Sequence, residues 1–324
     1  MIHGVRIHEH GGPDVLRFEP VEVALPGRGE VRLRHTAIGL NFIDVYDRTG
    51  LYPTPLPATL GREAAGVVTR VGPGVRGVRE GDRVAYVLHV PGAYVEERVV
   101  PADRVVVLPP EVSDEQAAAA MLKGLTAQYL LRSTYRVKRG DAVVIHAAAG
   151  GVGLMAVQWA RHLGAEVIAV TGSGEKAEIA REHGAHHTIL LGRADLAARV
   201  REITRGRGVP VVYDSVGRDT FTASLDCLRP RGLMVSYGNA SGPVPPFAPL
   251  ELSKRGSLYL TRPTLFHYIA TRRELERAAA ELFEVIGSGA VKVRIGQTFE
   301  LADAAIAHRQ LESRHTTGST VLVP

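Results

Sequence analysis

The sequence predicts an α/β protein in which a doubly wound parallel sheet is joined to an irregular antiparallel β domain. Three observations predict it. Short β-rich runs alternate with helical stretches through the middle of the chain, a small-residue turn with dinucleotide-binding spacing follows the first of these runs, and the first 125 or so residues read instead as short strands with frequent turns. A length of 324 residues fits two domains at roughly 150 residues each.

The elements follow in chain order. Val31-Arg32-Leu33-Arg34-His35 alternates apolar and polar residues as a half-buried strand does, and Ala65 to Gly72 and Asp82 to Val87 are similar. Turns such as Gly72-Pro73-Gly74 separate them. Residues 113–131 read as a helix opened by Ser113 with Gln116 three positions on, a capping box. The middle then supplies Ala142–His146, Glu166–Val170, Thr188–Leu190, Val211–Asp214, Leu233–Ser236 and, after a Pro-rich loop, Ser257–Leu260. Near-continuous apolar strands separated by helices belong to a parallel sheet covered on both faces. After the first strand, Val152, Met155, Ala156, Trp159, Ala160 and Leu163 form one apolar helical stripe, and Gly164 stands where a helix C-cap glycine belongs. The tail predicts a helix over 271–286, a strand over 291–295, a helix starting at Leu301 and a closing strand over 319–323.

Composition narrows the function classes. Apolar residues make up 45% and charged residues 23%, which excludes disorder and fibre. No uncharged apolar stretch is long enough to span a membrane. The start of the chain has no signal-peptide core, so a cytoplasmic protein is expected. The net charge of +5 is scattered rather than gathered into a basic run, so no nucleic-acid partner is expected. Cys227 is the single cysteine and cannot make an internal disulfide or a cysteine-rich zinc site. It falls in a helical stretch, which favours a buried thiol over a nucleophile.

Between the first parallel strand and its helix runs His146-Ala147-Ala148-Ala149-Gly150-Gly151-Val152-Gly153. The spacing Ala148-x-Gly150-x-x-Gly153 is the dinucleotide fingerprint with alanine in its first place. A small residue lets the chain turn off the strand, Gly150 admits a pyrophosphate to the backbone N–H groups, and Gly153 brings helix and strand close. The helix N-terminus offers N–H donors and the positive end of its dipole. The second strand ends at Val170-Thr171-Gly172-Ser173-Gly174-Glu175-Lys176. An acid that would hold a 2′-hydroxyl is missing at Thr171-Gly172, while Ser173 and Lys176 could hold a 2′-phosphate, so NADPH is predicted over NADH. The alternative is that Ser173 caps the next helix and Lys176 is a solvated surface residue.

The thirteen histidines raise the question of a metal. The local groups are His8-x-His10 and His183-x-x-His186-His187, and neither arrangement brings three or four ligands to one point, so no metal site is expected.

These residues lead to a family. The chain resembles the zinc-independent quinone oxidoreductases, the zeta-crystallin-like branch of the medium-chain dehydrogenase/reductase family, over nearly its whole length. The resemblance rests on Gly39-Leu40-Asn41-Phe42-Ile43-Asp44, Gly50-Leu51-Tyr52-Pro53, Gly61-Arg62-Glu63-Ala64-Ala65-Gly66, Lys123-Gly124-Leu125-Thr126-Ala127, the Ala147–Gly153 turn, Tyr213-Asp214-Ser215-Val216-Gly217 and Glu312-Ser313-Arg314. Zinc-dependent relatives carry Gly-His-Glu where this chain has Gly61-Arg62-Glu63, and a cysteine near the place of Asn41.

The resemblance implies a GroES-like antiparallel β catalytic domain (1–123 with 264–324) and an inserted Rossmann domain (124–263), with the active-site cleft between them and a homodimer through the sheet edge around 238–262. It implies that Asn41, Tyr46 and Tyr52 line the cleft, that Thr126 and Tyr129 lie beside the cofactor, and that Gly151 and Val152, with Gly150 and Gly153, hold the pyrophosphate. Gly172, Ser173 and Lys176 would take the adenosine phosphate, and Ser215, Gly238, Asn239, Phe266 and Arg314 would complete the groove around nicotinamide and ribose. Relatives often place a tyrosine where this chain has Leu191, with Arg193 as a possible substitute.

The implied activity is NADPH-dependent reduction of quinones, ortho-quinones included, by hydride or single-electron transfer without a metal. Asn41, Tyr46, Tyr52 and Arg262 are the candidate hydrogen-bond donors to the acceptor oxygen. Asn41 could instead be a turn residue, and the tyrosines core aromatics. Two alternatives stay open: an NADPH-dependent enone or enal reductase, and a protein of another class that holds NADPH as crystallins do or associates with RNA.

Overall fold

Strands β1 (Ile2–Ile7), β2 (Arg17–Val21), β3 (Glu30–Leu40), β4 (Ala58–Thr59), β5 (Glu63–Val71), β6 (Arg83–Val87), β7 (Glu97–Pro101) and β8 (Val105–Val107) occupy the first third of the chain. β3 keeps Val31, Leu33, Ala37 and Ile38 fully buried while Arg34 between them is exposed, the alternation its sequence announces. Helix α1 (Phe42–Thr49) follows β3 directly, and α2 (Asp114–Tyr129) follows β8. In α2 the Ser113 N–H donates to Gln116 Oε1 at 3.0 Å and the Gln116 N–H to Ser113 Oγ at 3.2 Å, so the expected capping box is formed.

The middle of the chain carries β9 (Ala142–His146), α3 (Gly151–His162), β10 (Glu166–Thr171), α4 (Gly174–Glu182), β11 (His187–Leu190), α5 (Leu196–Ile203), β12 (Val209–Asp214), α6 (Phe221–Asp226), β13 (Leu228–Ser236), α7 (Leu250–Lys254), β14 (Tyr259–Thr261) and α8 (Leu265–Tyr268). Its six strands pair in parallel in the order β11-β10-β9-β12-β13-β14. The order reverses between β9 and β12, which makes their carboxyl ends the switch point where α/β sheets bind ligands. Every residue of β12 is buried, as a strand covered on both faces requires. Helix α3 buries Leu154, Met155, Ala156, Trp159 and Ala160 on the sheet, and truncating a buried aromatic such as Trp159 to alanine costs roughly 3–5 kcal/mol.

The chain closes with α9 (Arg272–Gly287), β15 (Ile295–Glu300), α10 (Ala304–Glu312) and β16 (Ser319–Val323). β16 pairs antiparallel with β3, so the end of the chain completes the sheet in which β3, β5, β6 and β8 also lie. The computed structural model describes residues 1–313 and 315–324. Contacts divide the chain into two units, 1–125 with 269–287 and 293–324, and 126–268 with 288–292. The first unit carries mainly antiparallel strands, with β15 and β16 paired in parallel, and the second the doubly wound parallel sheet. Among the described residues no helix is long and apolar enough to cross a membrane.

Three expectations shift. The tail strand begins at Ile295 rather than Val291. The Gln158 side chain takes both backbone groups of Lys292, accepting from its N–H at 2.9 Å and donating to its carbonyl at 3.1 Å, which removes them from any ladder. The sixth parallel strand starts at Tyr259 rather than Ser257, because Ser257 has φ +57°, outside strand geometry. Cys227 stands one residue beyond α6 as its C-cap.

Within the first unit, His35 is buried with Nδ1 2.7 Å from the Val95 carbonyl and Nε2 3.1 Å from the Tyr86 hydroxyl. Burial, reinforced by the Arg98 charge, lowers its pKa to about 4. A depressed histidine contributes stability above its unfolded value near 6.5 that is lost as pH falls toward 4. His35→Gln is therefore expected to flatten the fall of Tm between pH 6.5 and 4, measured by calorimetry, and an unchanged slope would contradict the assignment.

Candidate functional site

The turn between β9 and α3 is built by a backbone collision that only glycine avoids. A Cβ on Gly153 would stand 2.2 Å from the Ala147 carbonyl oxygen and 2.9 Å from Ala148 Cα. Ala147 turns the chain at φ +48°, and the Gly150 N–H donates to its carbonyl at 2.9 Å. The left-handed conformation costs a non-glycine residue roughly 1–2 kcal/mol. The first helical bond of α3 runs from the Leu154 N–H to the Gly150 carbonyl at 2.8 Å. The N–H groups of Gly151, Val152 and Gly153 therefore lie ahead of the ladder at the positive end of a 12-residue helix.

The neighbouring strand ends lie beside this turn. Gly172 follows β10, and a Cβ built on it would meet nothing within 4 Å. Ser173 is the N-cap of α4, its Oγ accepting from the Lys176 N–H at 3.3 Å. Capping thus occurs, while the half-buried Lys176 side chain belongs to the same turn. Open space at Gly172, hydroxyl and ammonium one turn apart, and the N–H groups of α3 fit a dinucleotide bearing an adenosine phosphate.

The loops after β12 and β13 are locked together. The Tyr237 N–H donates to the Asp214 carbonyl at 2.8 Å and the Ala240 N–H to the Ser215 carbonyl at 3.2 Å. A Cβ on Gly238 would stand 2.4 Å from the Ser215 oxygen. Arg262, just past β14, spends Nη1 on the carbonyls of Ser236 and Gly238 at 2.9 and 3.3 Å, and Asn239 with its amide oriented by this network accepts from Nη2 at 3.1 Å. Arg262 thus braces the loop that presents Gly238 and Asn239. Tyr129, at the end of α2, stacks on Tyr268 of α8 with ring centroids 4.4 Å apart, and Thr126 one turn earlier is buried. Phe266 lies in the same short α8.

Asn41, Tyr46 and Tyr52 all belong to the first unit. Asn41 is the N-cap of α1 and its N–H donates to Asp44 Oδ2 at 2.8 Å. The Tyr46 and Tyr52 rings meet edge to face at 5.2 Å, and the Tyr52 N–H donates to the Tyr46 carbonyl at 3.2 Å. Glu63 is fully buried, accepting from Asn41 Nδ2 at 2.7 Å and Lys123 Nζ at 3.0 Å. Arg62 grips Asp47 with two bonds, at 2.9 and 2.7 Å. Asp44 also accepts from the Tyr94 hydroxyl at 3.0 Å, and burial, then the Asp47 charge, push its pKa up to about 7. Arg314 lies outside the described residues.

The histidines singled out for metal are engaged separately. His8 meets Glu19 at 3.0 Å, His10 the Arg48 carbonyl at 3.3 Å and His183 the Ile179 carbonyl at 2.8 Å. His186 Nδ1 accepts from the Val167 N–H at 3.0 Å, and His187 meets Glu166 at 2.8 Å. Among the described residues no three His, Cys, Asp or Glu side chains are grouped as metal ligands. Cys227 is buried, and burial, with the Asp226 charge, pushes its thiol up to about 12, well outside the range of a nucleophilic thiolate.

Comparison with known proteins gives the family. Residues 27–110 match the family model described as an alcohol dehydrogenase GroES-like domain, and residues 151–284 the one described as a zinc-binding dehydrogenase. A quinone oxidoreductase of Pseudomonas aeruginosa is 53% identical over 100% of both chains. A 2-haloacrylate reductase of a Burkholderia species is 50% identical over 100% of this chain and 99% of its own. The crystal structure of Escherichia coli quinone oxidoreductase complexed with NADPH superposes with TM-score 0.98 at 50% identity, covering 99% of this chain and 100% of that one. The chain belongs to the quinone oxidoreductases of the medium-chain dehydrogenase/reductase family.

In this family member, two groups beside Asn41 had no role that sequence alone could assign. Glu63 and Lys123 lie 60 positions apart and meet only because β5 and α2 pack together, and Arg62 finds Asp47 in the same way. Glu63 and Lys123 stand in motifs that carry the family resemblance, and a carboxyl and a cation beside apolar strand and helix patterns were the one physical signal of their pairing.

The turn makes two glycines distinguishable. Alanine at Gly150 would meet only the Ala147 oxygen, at 3.2 Å. Gly150→Ala is expected to keep the wild-type Tm within a few degrees and raise the NADPH Kd about tenfold, about 1.4 kcal/mol. Gly153→Ala is expected to lower Tm and abolish binding, both read by thermal shift and cofactor fluorescence. Equal NADPH affinity in wild type and Gly150→Ala would contradict the pyrophosphate assignment.

Proposed function

We propose that this chain oxidises NADPH and reduces quinones, ortho-quinones among them, with the residues named above in the following roles. The observation that carries the reading is the Ala147–Gly153 turn, whose N–H groups precede the α3 ladder next to an open Gly172-Ser173 corner. The full-length likeness to quinone oxidoreductases supports it.

Gly150, Gly151, Val152 and Gly153 bind the pyrophosphate through backbone N–H groups. Ser173 and Lys176 take the adenosine phosphate, with Gly172 giving it room. Thr126, Tyr129, Ser215, Gly238, Asn239 and Phe266, and by family resemblance Arg314, hold ribose and nicotinamide, and Arg262 braces the Gly238–Asn239 loop. The chemistry that NADPH supplies when bound is donation of hydride or of single electrons from its nicotinamide ring. Tyr46, Tyr52 and Asn41 orient the quinone, exclude water and offer hydrogen bonds to the oxygen on which negative charge grows. None of them must give up a proton, since solvent can protonate the product oxygen.

The name of the Burkholderia relative favours a second reading, reduction of a carbon–carbon double bond next to an electron-withdrawing group. That reaction needs a proton on carbon, a demand a quinone does not make. We also infer a homodimer. β14 is the edge of the parallel sheet with Tyr259 63% exposed, and an open edge of that kind invites a second copy. Sedimentation equilibrium is expected to return twice the mass of one chain, and a monomer at micromolar concentration would contradict it.

Anaerobic NADPH oxidation with an ortho-quinone, a para-quinone and a simple enone tests the main reading, with quinone turnover expected to exceed enone turnover. Tyr46→Phe and Tyr52→Phe are each expected to lower kcat/KM for the quinone about tenfold, the worth of one hydrogen bond near a growing charge. A loss near 10⁴-fold would mark obligatory proton transfer by a tyrosine, and faster enone than quinone turnover would move the assignment to the second reading.

A further inference from the structure

Glu63 has an unusual setting. Its carboxylate is completely buried at the start of β5 and each of its contacts is a donor: Asn41 Nδ2 at 2.7 Å and Lys123 Nζ at 3.0 Å on Oε1, and the Leu122 N–H on Oε2. Lys123 is itself 5% exposed. The backbone is shaped to admit this carboxylate. A Cβ on Gly39 would stand 2.2 Å from Glu63 Oε1 and 2.3 Å from the Ala118 carbonyl, so glycine at that point of β3 opens the passage. Three elements, β3, β5 and α2, are thus built around one charged pair whose neutral partner is the Asn41 amide.

We propose that the Lys123–Glu63 pair is the positioning device for Asn41, and that Lys123 therefore governs quinone turnover without touching quinone. This inference rests on the placement of Asn41 in the substrate site proposed above. Donors and acceptors fix the amide. A carboxylate that receives three donors has no proton to give the amide, so the nitrogen of Asn41 must face it and Oδ1 must point the opposite way. The ammonium of Lys123 and the Leu122 N–H hold both carboxylate oxygens in place, which leaves the Asn41 amide one orientation. A glutamine at 63 removes that constraint. The Leu122 N–H demands an oxygen at the Oε2 position, which puts the NH₂ at the Oε1 position, where Asn41 would have to invert to offer its oxygen.

The double variant Glu63→Gln/Lys123→Met separates positioning from mere stability. Lys123→Met alone strands a buried carboxylate and is expected to lower Tm or prevent folding, whereas removing both charges leaves no buried ion unpaired. The double variant is therefore expected to regain most of the wild-type Tm and still to lose about tenfold or more of kcat/KM, the scale of a misplaced orienting group. Side-chain amide NMR of the cofactor-free protein, with the Asn41 pair assigned by its absence in Asn41→Ala, is expected to show the Asn41 NH₂ resonances displaced in the double variant. In the Asn41→Ala background, the same two substitutions are expected to change kcat/KM no further.

Recovery of kcat/KM together with Tm, or Asn41 resonances at their wild-type positions, would overturn the proposal. Displaced resonances in a protein whose wild type fails to reduce any quinone would uphold the pinning of Asn41 and overturn only the substrate reading.

Discussion

One contact sets the geometry of the cofactor end of this protein: the approach of Gly153 to the carbonyl of Ala147. With a Cβ at Gly153 the gap would close to 2.2 Å, so α3 can start this near the end of β9 only because a hydrogen stands there. The closeness aims the first N–H groups of α3 off the carboxyl end of the central strand. Everything else at that end is arranged on the same edge. The Ala148 N–H reaches the Val170 carbonyl of β10 at 3.2 Å, and the Asp214 carboxylate at the end of β12 gathers the Val216 and Gly217 N–H groups at 2.8 and 3.1 Å. Asp214 also accepts from Ser224, which in turn lies 2.9 Å from His146 at the end of β9. Burial lowers the His146 pKa, and the Asp214–Ser224–His146 tie joins the end of β12 to the strand that feeds the turn.

The other unit solves a different problem. Helix α1 has 8 residues, too few to hold itself together, yet it carries Tyr46 and begins at Asn41. Buried charge anchors it. Asp47 is gripped by Arg62, Asp44 by Tyr94, and Arg48 donates to His308 at 2.9 Å and to Glu312 at 2.8 Å. Removing one member of such a buried pair costs roughly 3–5 kcal/mol, whereas replacing both members can be neutral. Charge here fixes where a short helix lies more than it adds to stability. The guanidinium of Arg62 stands where zinc-dependent relatives carry a histidine, and it is committed to Asp47.

Much of this was legible in the sequence. The β9 strand, the α3 stripe and the Ser113–Gln116 box announce themselves because their signals are local: an apolar run, a three-and-four spacing, a cap three residues from its partner. The boundaries at Ser257 and Lys292 were not legible. One depends on a backbone torsion and the other on Gln158, which arrives from a separation of 134 residues. Asn41, Tyr46 and Tyr52 are proposed from family resemblance, but the bonds that the Glu63 carboxylate makes were not legible, since its partners come from positions 22 and 60 residues away. Sequence periodicity finds which face is buried, and it is silent on which buried charges meet. Arg262 illustrates the same limit: its guanidinium suggests a donor to substrate, and its bonds to the carbonyls of Ser236 and Gly238, 26 and 24 positions away, are visible only in the fold.

In the proposed binding mode the Ala147–Gly153 turn and the Gly172–Lys176 corner grip two different phosphate groups of one cofactor. Phosphorus NMR of NADPH titrated with the protein reads both at once. The account predicts that the pyrophosphate resonances and the 2′-phosphate resonance all shift on binding, and that Lys176→Met returns the 2′-phosphate alone toward its free position. A 2′-phosphate that titrates with pH as it does free in water, or pyrophosphate signals that do not move, would contradict it.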